Sequence, residues 1–594
     1  MVKTRIYFTI VFVFAGMGLN AQQLAFPGAE GYGKYATGGR GNGSTGRIAI
    51  VTNLEDDVDN PPEGSFRWAL KQGKDVLNDP IIGEYTVERP LTIVFRVGGV
   101  INLKGELRAK RNNLTIAGHT APGDGICLRG GTVNLGGCNN LIVRYLRSRP
   151  GDELGQQTSA FRIENGCNFI IDHCSFSWAI EETTHFSSSP DFTVQWCIIS
   201  ESFYHSFHAK GDRGYGSQHG GMYASYHHNL MAHHNSRTPR FNGSNENDVE
   251  ALIDYRNNVN YNWGRSGSVY GGEWMKTNGL GFAHTNMLNN YYIPGPGNYG
   301  TLYFVSPGTG DNGYAKWYIN GNVMVGEDEK TADNWLGVNY SQKDSIRSES
   351  VFIKSDGAIE DFDNYTESAG DAYHSIIEDV GATFPKRDAH DIRLIKEMTG
   401  EIEILRYAYT DTAGKESPVK GVHTGIIDTQ HNLVSPEDRA AGKTTWDVYK
   451  TTTVDEAPLD SDDDGMPDDW EMEHGLNPND STDFRHITES GYSNLEVYLA
   501  DLVGDKISVK AEDFNLPKPL FEVYPNPCTN ELYIGSDQKI IKIEMYDLSG
   551  RKMIDISENT GIESVPVDLL SKGWYLLKAF NDRGSELYTR VVRR

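Results

Sequence analysis

From Asn113 onward the chain alternates short runs of β-branched and aromatic residues with polar turns, and the runs return in one frame. Asn113–Ala117, Asn140–Arg144, Asn168–Cys174, Asp191–Cys197, Tyr223–Asn229, Ala251–Asn258 and Lys316–Asn322 align so that Cys174, Cys197, Asn229, Asn258, Asn290 and Asn322 share one position. Consecutive members of that series lie 23, 32, 29, 32 and 32 residues apart. A fixed position recurring at such a period marks a solenoid, and strands this short and this rich in Val, Ile, Phe and Tyr mark it as a β-solenoid. The predicted fold is all-β, a right-handed parallel β-helix. Its stacked asparagines would form a side-chain ladder that satisfies turn backbone groups. A solenoid of this kind offers a long open groove suited to a polymer.

The remaining pattern divides the chain. Lys3 and Arg5 precede an apolar stretch from Ile6 to Leu19, with Ala21 as a small residue for cleavage; residues 1–21 therefore read as a secretory signal peptide rather than a membrane span. No later apolar run approaches the ~20 residues of a span. Residues 22–440 hold a glycine-rich segment (Phe26 to Gly33, then Gly38 to Gly41), the coils and a tail. A short helix is expected at Ser65–Gln72 to cap the first coil and blunt its strand edge, and another around Pro385–Glu397 on the solenoid's far side.

Residues 455–505 read as a separate small module. Asp460, Asp462, Asp464, Asp468 and Glu471 stand at positions 1, 3, 5, 9 and 12 of a twelve-residue calcium loop, with Gly465 at position 6 for the sharp turn. A solvated acidic linker is the plainer alternative. Residues 519–594 alternate strands and turns and predict a small antiparallel β-sandwich. The run from Tyr524 to Pro527, Tyr546 to Gly550 and Gly573 to Tyr575 make this segment resemble the type A C-terminal sorting domain of the type IX secretion system. That resemblance implies export across an outer membrane, followed by release or surface attachment; a carbohydrate-binding sandwich competes with it.

The formal net charge is −26, which argues against nucleic acid and anionic membrane as partners. A polyanion could bind only through a locally basic groove or bound cations. Six cysteines are too few for a disulfide framework. Cys174 and Cys197 fall on successive coils, where a ~4.8 Å strand spacing allows either a bridge or a plain stack of thiols.

Seven histidines crowd between His205 and His234. Neighbours such as His227 and His228 point to opposite faces of a strand, so they cannot all serve one site, and a zinc centre lacks ligand spacing. Arg237 and Arg240 are more informative. A guanidinium fork grips a carboxylate at two points, and two such forks around Pro239 would clamp the carboxylates of a uronic-acid polymer. Asp172, His173, Glu181, Glu182 and Lys210 are expected in the same groove.

Gly28 to Gly33, Gly64 to Leu70, Ile171 to Trp178 and His227 to Arg240 together make residues 25–440 resemble the pectate lyase family of parallel β-helix polysaccharide lyases. The resemblance implies cleavage of α-1,4-linked galacturonan by calcium-assisted β-elimination, giving unsaturated oligogalacturonates. It implies Arg237 as the base for the C5 proton, Lys210 and Arg240 as carboxylate-binding groups, and His208 as a helper at the substrate. An arginine near pKa 13 would cost on the order of 5 kcal/mol to deprotonate at pH 9, so stabilisation of the enolate-like intermediate is the alternative role for Arg237. The family's aspartates before the Ile-Asp-His strand are replaced here by Gln156 to Ser159. Glu181, Glu182 and Asp152 are then the candidate groove ligands for Ca2+, in a cage that falls short of the six oxygens calcium prefers. Two other readings stand beside this one. A β-helix glycoside hydrolase needs two carboxylates set across the bond, and a non-catalytic glycan-binding surface protein would bind without turnover. A secreted or surface-attached monomer acting on pectate is expected.

Overall fold

The computed structural model describes residues 22–507 and 522–593, apart from 42–44, 80–82, 265–266, 276–281, 314, 340–352, 355–364, 411–415, 418–423, 525–527, 537–538, 548–550, 558–559 and 582–585. The expected signal peptide at 1–21 lies outside them. The chain winds as a right-handed parallel β-helix whose coils feed three sheets of eleven, nine and eight strands, each strand pairing with the strand one coil away. Phe169 faces Phe192 and Ile171 faces Val194 in adjacent rungs, and these side chains stack into one core running along the solenoid interior.

Single left-handed residues turn the corners. Tyr145, His173, Trp196 and His228, with φ between 47° and 55°, occupy successive corners between the eleven- and nine-stranded sheets. Their rings stack at 4.9, 5.7 and 4.4 Å. One residue further on runs the asparagine ladder: Asn229 donates to Asn258 at 3.0 Å, Asn258 to Asn290 at 3.0 Å and Asn290 to Asn322 at 2.8 Å. Asn334 closes it by accepting from Asn322 at 3.0 Å. Cys174 and Cys197 hold the earlier rungs as buried free thiols, donating to the carbonyls of Asp172 and Gln195.

Two of the three sheets are covered outside. The glycine-rich segment crosses the eleven-stranded sheet, with Gly33 donating to Thr193 Oγ1 at 2.9 Å and Gly39 to Thr115 Oγ1 at 2.8 Å. A Cβ on Gly33 would lie 2.1 Å from the Phe169 carbonyl oxygen, so only glycine passes this close. The module at 455–505 continues that cover instead of standing apart. Met466, Phe484, Leu495 and Leu499 pack on Val94 and Ala117, while Arg144 reaches Asp505 at 3.0 Å.

The helix expected around Pro385–Glu397 forms as Ala389–Thr399, N-capped by Asp388 and ended by Gly400 in the left-handed region. With Ala369–Asp379 it buries Ile376, Val380, Leu394 and Met398 against Ile198, Leu230 and Val259 of the nine-stranded sheet. Arg149 with Asp388 and Asp391, and Arg406 with Glu201 and Glu397, pin this layer through fully buried ion pairs. The tail runs past the expected limit of 440, since Thr452 bridges Gly98 of an early coil.

At the N-terminal end Ser65 caps the helix Phe66–Ala69, whose Phe66 and Ala69 plug the first coil. The C-terminal segment forms antiparallel sheets of three and four strands around Leu532, Ile543, Met545 and Leu577. Among the described residues no helix is long and apolar enough to cross a membrane.

Candidate functional site

The eight-stranded sheet keeps an open outer face. Arg162, His185, Gln218, Arg240 and Tyr270 are laterally paired in register across it and all are half-buried. A polar row at rung spacing on an uncovered sheet is what a charged chain could lie along.

Arg237 stands beside the middle of this row, at Gln218. Its φ of 57° is a conformation that costs a non-glycine residue about 1–3 kcal/mol, and it turns the side chain onto the sheet's edge. Arg237 Nη1 donates to Gln218 Oε1 at 2.7 Å and to Glu182 Oε1. Arg213 Nη2 pairs with Glu181 Oε2 at 2.7 Å and Glu182 Oε1 at 3.3 Å. The Tyr215 ring lies 4.3 Å from both guanidinium carbons, close enough for cation–π attraction to steady each. Arg240 completes the line, donating to Asn242 Oδ1 at 2.9 Å and Glu273 Oε1 at 3.1 Å. Lys210 is exposed, and its charge acts on Glu181. Arg237 reaches Glu182 and the charge of Lys210 acts on Glu181, while Arg240 lies in lateral register with Gln218, the residue that Arg237 bonds.

Other expectations need correction. His208 was expected on the substrate, but its side chain is 1% exposed. Its Nδ1 accepts from the Lys210 amide at 2.9 Å, which leaves Nε2 to donate to Glu181. His208 therefore orients Glu181 from beneath. Burial raises the Glu181 carboxyl, yet the His208 hydrogen bond and the Arg213 charge hold it below the usual range.

Asp172 and His173 are not in the groove; they stand at the opposite corner. Asp172 is fully buried, accepting from Arg144 at 2.7 Å and Gln195 at 2.8 Å and pairing with His173 at 2.8 Å. Burial opposes the charge on His173, but Asp172 and Asp379 outweigh it and raise its pKa to about 9. Four of the clustered histidines are also structural: His219 stacks on Tyr226 in the core, His228 joins the corner stack, His233 pairs with Glu397 and His234 bonds Ser202.

Asp152, Glu181 and Glu182 are not gathered into one close ligating group among the described residues. Asp152 Oδ1 accepts from Gln430 of the tail at 2.8 Å, Glu181 meets His208 through one oxygen and Arg213 through the other, and Glu182 Oε1 takes both Arg213 and Arg237. Among the described residues, metal-ligating side chains converge in groups of three only within 460–483, as Asp460, Asp462, Asp464 and as Asp464, Glu471, Asp483. Asp468 turns instead to the Ser461 amide and hydroxyl, both at 2.7 Å.

Arg213, Tyr215, Gln218 and Glu273 escaped the sequence reading. The repeat itself held the signal for two of them: one coil beyond Glu182 falls Tyr215, in direct register, with Arg213 two residues before it.

Residues 522–593 match the family described as the secretion system C-terminal sorting domain. The chain is 33% identical over 487 residues to "Probable pectate lyase C" of Emericella nidulans, covering 81% of this chain and 93% of that one. It is 32% identical to a protein of the same name from Aspergillus terreus, covering 81% and 94%. Among solved structures it is similar to the cedar-pollen allergen jun a 1 at 15% identity and TM-score 0.38, over 59% of this chain and 92% of that one. It is also similar to a pectate lyase from Bacillus sp. N165 in complex with trigalacturonate, at 17% identity and TM-score 0.35, over 60% and 98%.

Proposed function

The chain belongs to the pectate lyase family and carries a secretion sorting domain, and from that premise we propose that it cleaves α-1,4-polygalacturonate outside the cell by β-elimination. The observation that carries the proposal is the set of Lys210, Arg213, Arg237 and Arg240 beside and on the eight-stranded sheet, whose outer face the described residues leave open. Arg213, Arg237 and Arg240 are each paired with Glu181, Glu182 or Glu273, so gripping sugar carboxylates means exchanging part of those pairs, with the exposed Lys210 adding its charge. Neutralising the carboxylate at C6 acidifies the C5 proton. That proton leaves, its electron pair forms the C4–C5 double bond, the C4–O bond breaks, and water protonates the departing oxygen.

Arg237 is the group assigned to the reacting carbon, as base or as the fixed charge facing the enolate-like intermediate. Glu182, Gln218 and Tyr215 hold its fork in place, and Lys210 and Arg240 bind flanking carboxylates. Asp152, Glu181 and Glu182 make a poor protein-only calcium cage, because they do not gather into one ligating cluster and Glu181 and Glu182 share Arg213. Calcium assistance in the groove would draw on the polymer's own carboxylates for ligands.

The test is incubation with polygalacturonate at alkaline pH, with calcium or with a chelator, following ultraviolet absorbance of the unsaturated product beside reducing ends. Both should rise together. Reducing ends without absorbance would mean hydrolysis, and neither would mean a binding protein.

A further inference from the structure

The acidic loop offers a site that the lyase reading does not use. Five carboxylates meet there around Asp464, which belongs to both close groups. Glu471 and Asp464 are fully buried, yet both oxygens of Glu471, both of Asp462, Oδ2 of Asp464 and Oδ1 of Asp483 have no hydrogen-bond partner. Buried carboxylate oxygens are almost always paired. So many facing one another without a donor describe a coordination shell.

The backbone is shaped for this. Asp463 and Gly465 adopt left-handed φ of 57° and 89°. Asp460 accepts from the amides of Asp464 at 3.2 Å and Gly465 at 3.1 Å, which curls the loop around its own carboxylates. Asp463 faces outward and meets Arg96 of the solenoid at 3.4 Å. An all-oxygen, carboxylate-rich shell with a glutamate able to bind through both oxygens suits calcium better than the smaller, water-retaining magnesium.

We infer that Asp460, Asp462, Asp464, Glu471 and Asp483 bind a calcium ion that fastens the 455–505 module onto the outer face of the solenoid's first coils. The ion joins three segments: the loop, the helix Asp468–Glu473 and the turn Asp483–Arg485. Each carries or adjoins an anchor of the patch that covers the eleven-stranded sheet. Met466 follows the loop glycine and is fully buried, Phe484 follows Asp483, and both pack on Val94 and Ala117. Asp483 lies outside the twelve-residue motif, and Asp468, inside it, is excluded by its bonds to Ser461. The site is therefore structural and independent of cleavage; failure of the lyase reading would leave it standing.

The test uses the full mature chain with terbium as a calcium surrogate, its luminescence excited through Trp470 at position 11 of the loop, together with thermal melting. Wild-type protein should show luminescence displaced by calcium, and a melting temperature that rises with calcium as ligand linkage requires. Asp483→Asn and Glu471→Gln should weaken terbium binding by about tenfold or more. Asp468→Asn should stay within about twofold of wild type, and Glu181→Gln in the groove should leave the signal unchanged. Wild-type affinity in Asp483→Asn, or an equal loss in Asp468→Asn, would overturn the assignment. Should a variant fail to fold, the wild-type titration decides alone: melting indifferent to calcium and chelator would refute the ion's fastening role.

Discussion

Replacing Asn258 by alanine removes one rung of the ladder. The Asn258 side chain is fully buried. Its oxygen accepts from the Asn229 backbone amide and side chain, both at 3.0 Å, and its nitrogen reaches the Tyr226 carbonyl at 2.9 Å, the Arg256 carbonyl at 3.0 Å and Asn290 Oδ1 at 3.0 Å. Alanine leaves the Asn229 amide without its acceptor, which costs about 1–3 kcal/mol, and forfeits roughly two net hydrogen bonds of about 1 kcal/mol each. The expected destabilisation is therefore about 3–5 kcal/mol, a large share of ordinary domain stability. Because each coil contacts only its neighbours, the loss should first appear as local opening. The assay is urea unfolding followed by tyrosine and tryptophan fluorescence, with hydrogen exchange across 226–290. Asn320→Ala is the control, since Asn320 is exposed and its side chain makes a 3.4 Å contact to Tyr318, while its ladder contact runs through the backbone carbonyl that alanine keeps. Equal midpoints for the two variants would refute the view that the ladder, rather than the strands alone, holds the corners.

Three further outcomes follow from the same geometry. His173 has its pKa raised to about 9 in the folded protein against about 6.5 unfolded; its contribution is thus complete below pH 6.5 and lost as pH rises towards 9, amounting to about 3 kcal/mol. Unfolding midpoints should fall across that window, and His173→Gln should flatten the profile; an unchanged slope would count against the Asp172–His173 pair. Glu182→Gln keeps a hydrogen-bond acceptor for Arg237 but removes the charge that also holds Arg213. It should lower kcat about tenfold to a hundredfold, or ~1.4–2.8 kcal/mol, with KM little changed; a raised KM at unchanged kcat would make Glu182 a substrate-binding group instead. Cys174 and Cys197, buried and unbridged, should resist a thiol reagent until unfolding, and a disulfide found by mass spectrometry would contradict the ladder's upper rungs.

The solenoid was legible because a ladder needs the same side chain at every coil, and Asn229, Asn258, Asn290 and Asn322 repeat in the sequence as they stack in space. Arg237 and Arg240 are conspicuous as two guanidinium groups around a proline, although a structural salt bridge is the plain alternative and each does pair with a glutamate. Periodicity, however, does not say which corner a polar residue occupies. Asp172 and Glu181 are nine positions apart in one coil, yet one braces the N-terminal cover and the other faces the open sheet. Nor does it reveal depth: His208 and Lys210 are near neighbours, but one lies beneath Glu181 and the other in solvent. Asp483 was hidden for another reason, since a loop motif counts only contiguous positions while a metal recruits whatever oxygen folding brings near.

Turnover of polygalacturonate by Arg237→Ala beside Arg240→Ala, read as the ultraviolet absorbance of the unsaturated product, decides whether the cationic row is the reaction centre. Arg237→Ala should lower kcat about a hundredfold or more with polymer binding retained, and Arg240→Ala should chiefly raise KM. Wild-type turnover in Arg237→Ala would contradict the assignment of elimination to this face of the solenoid.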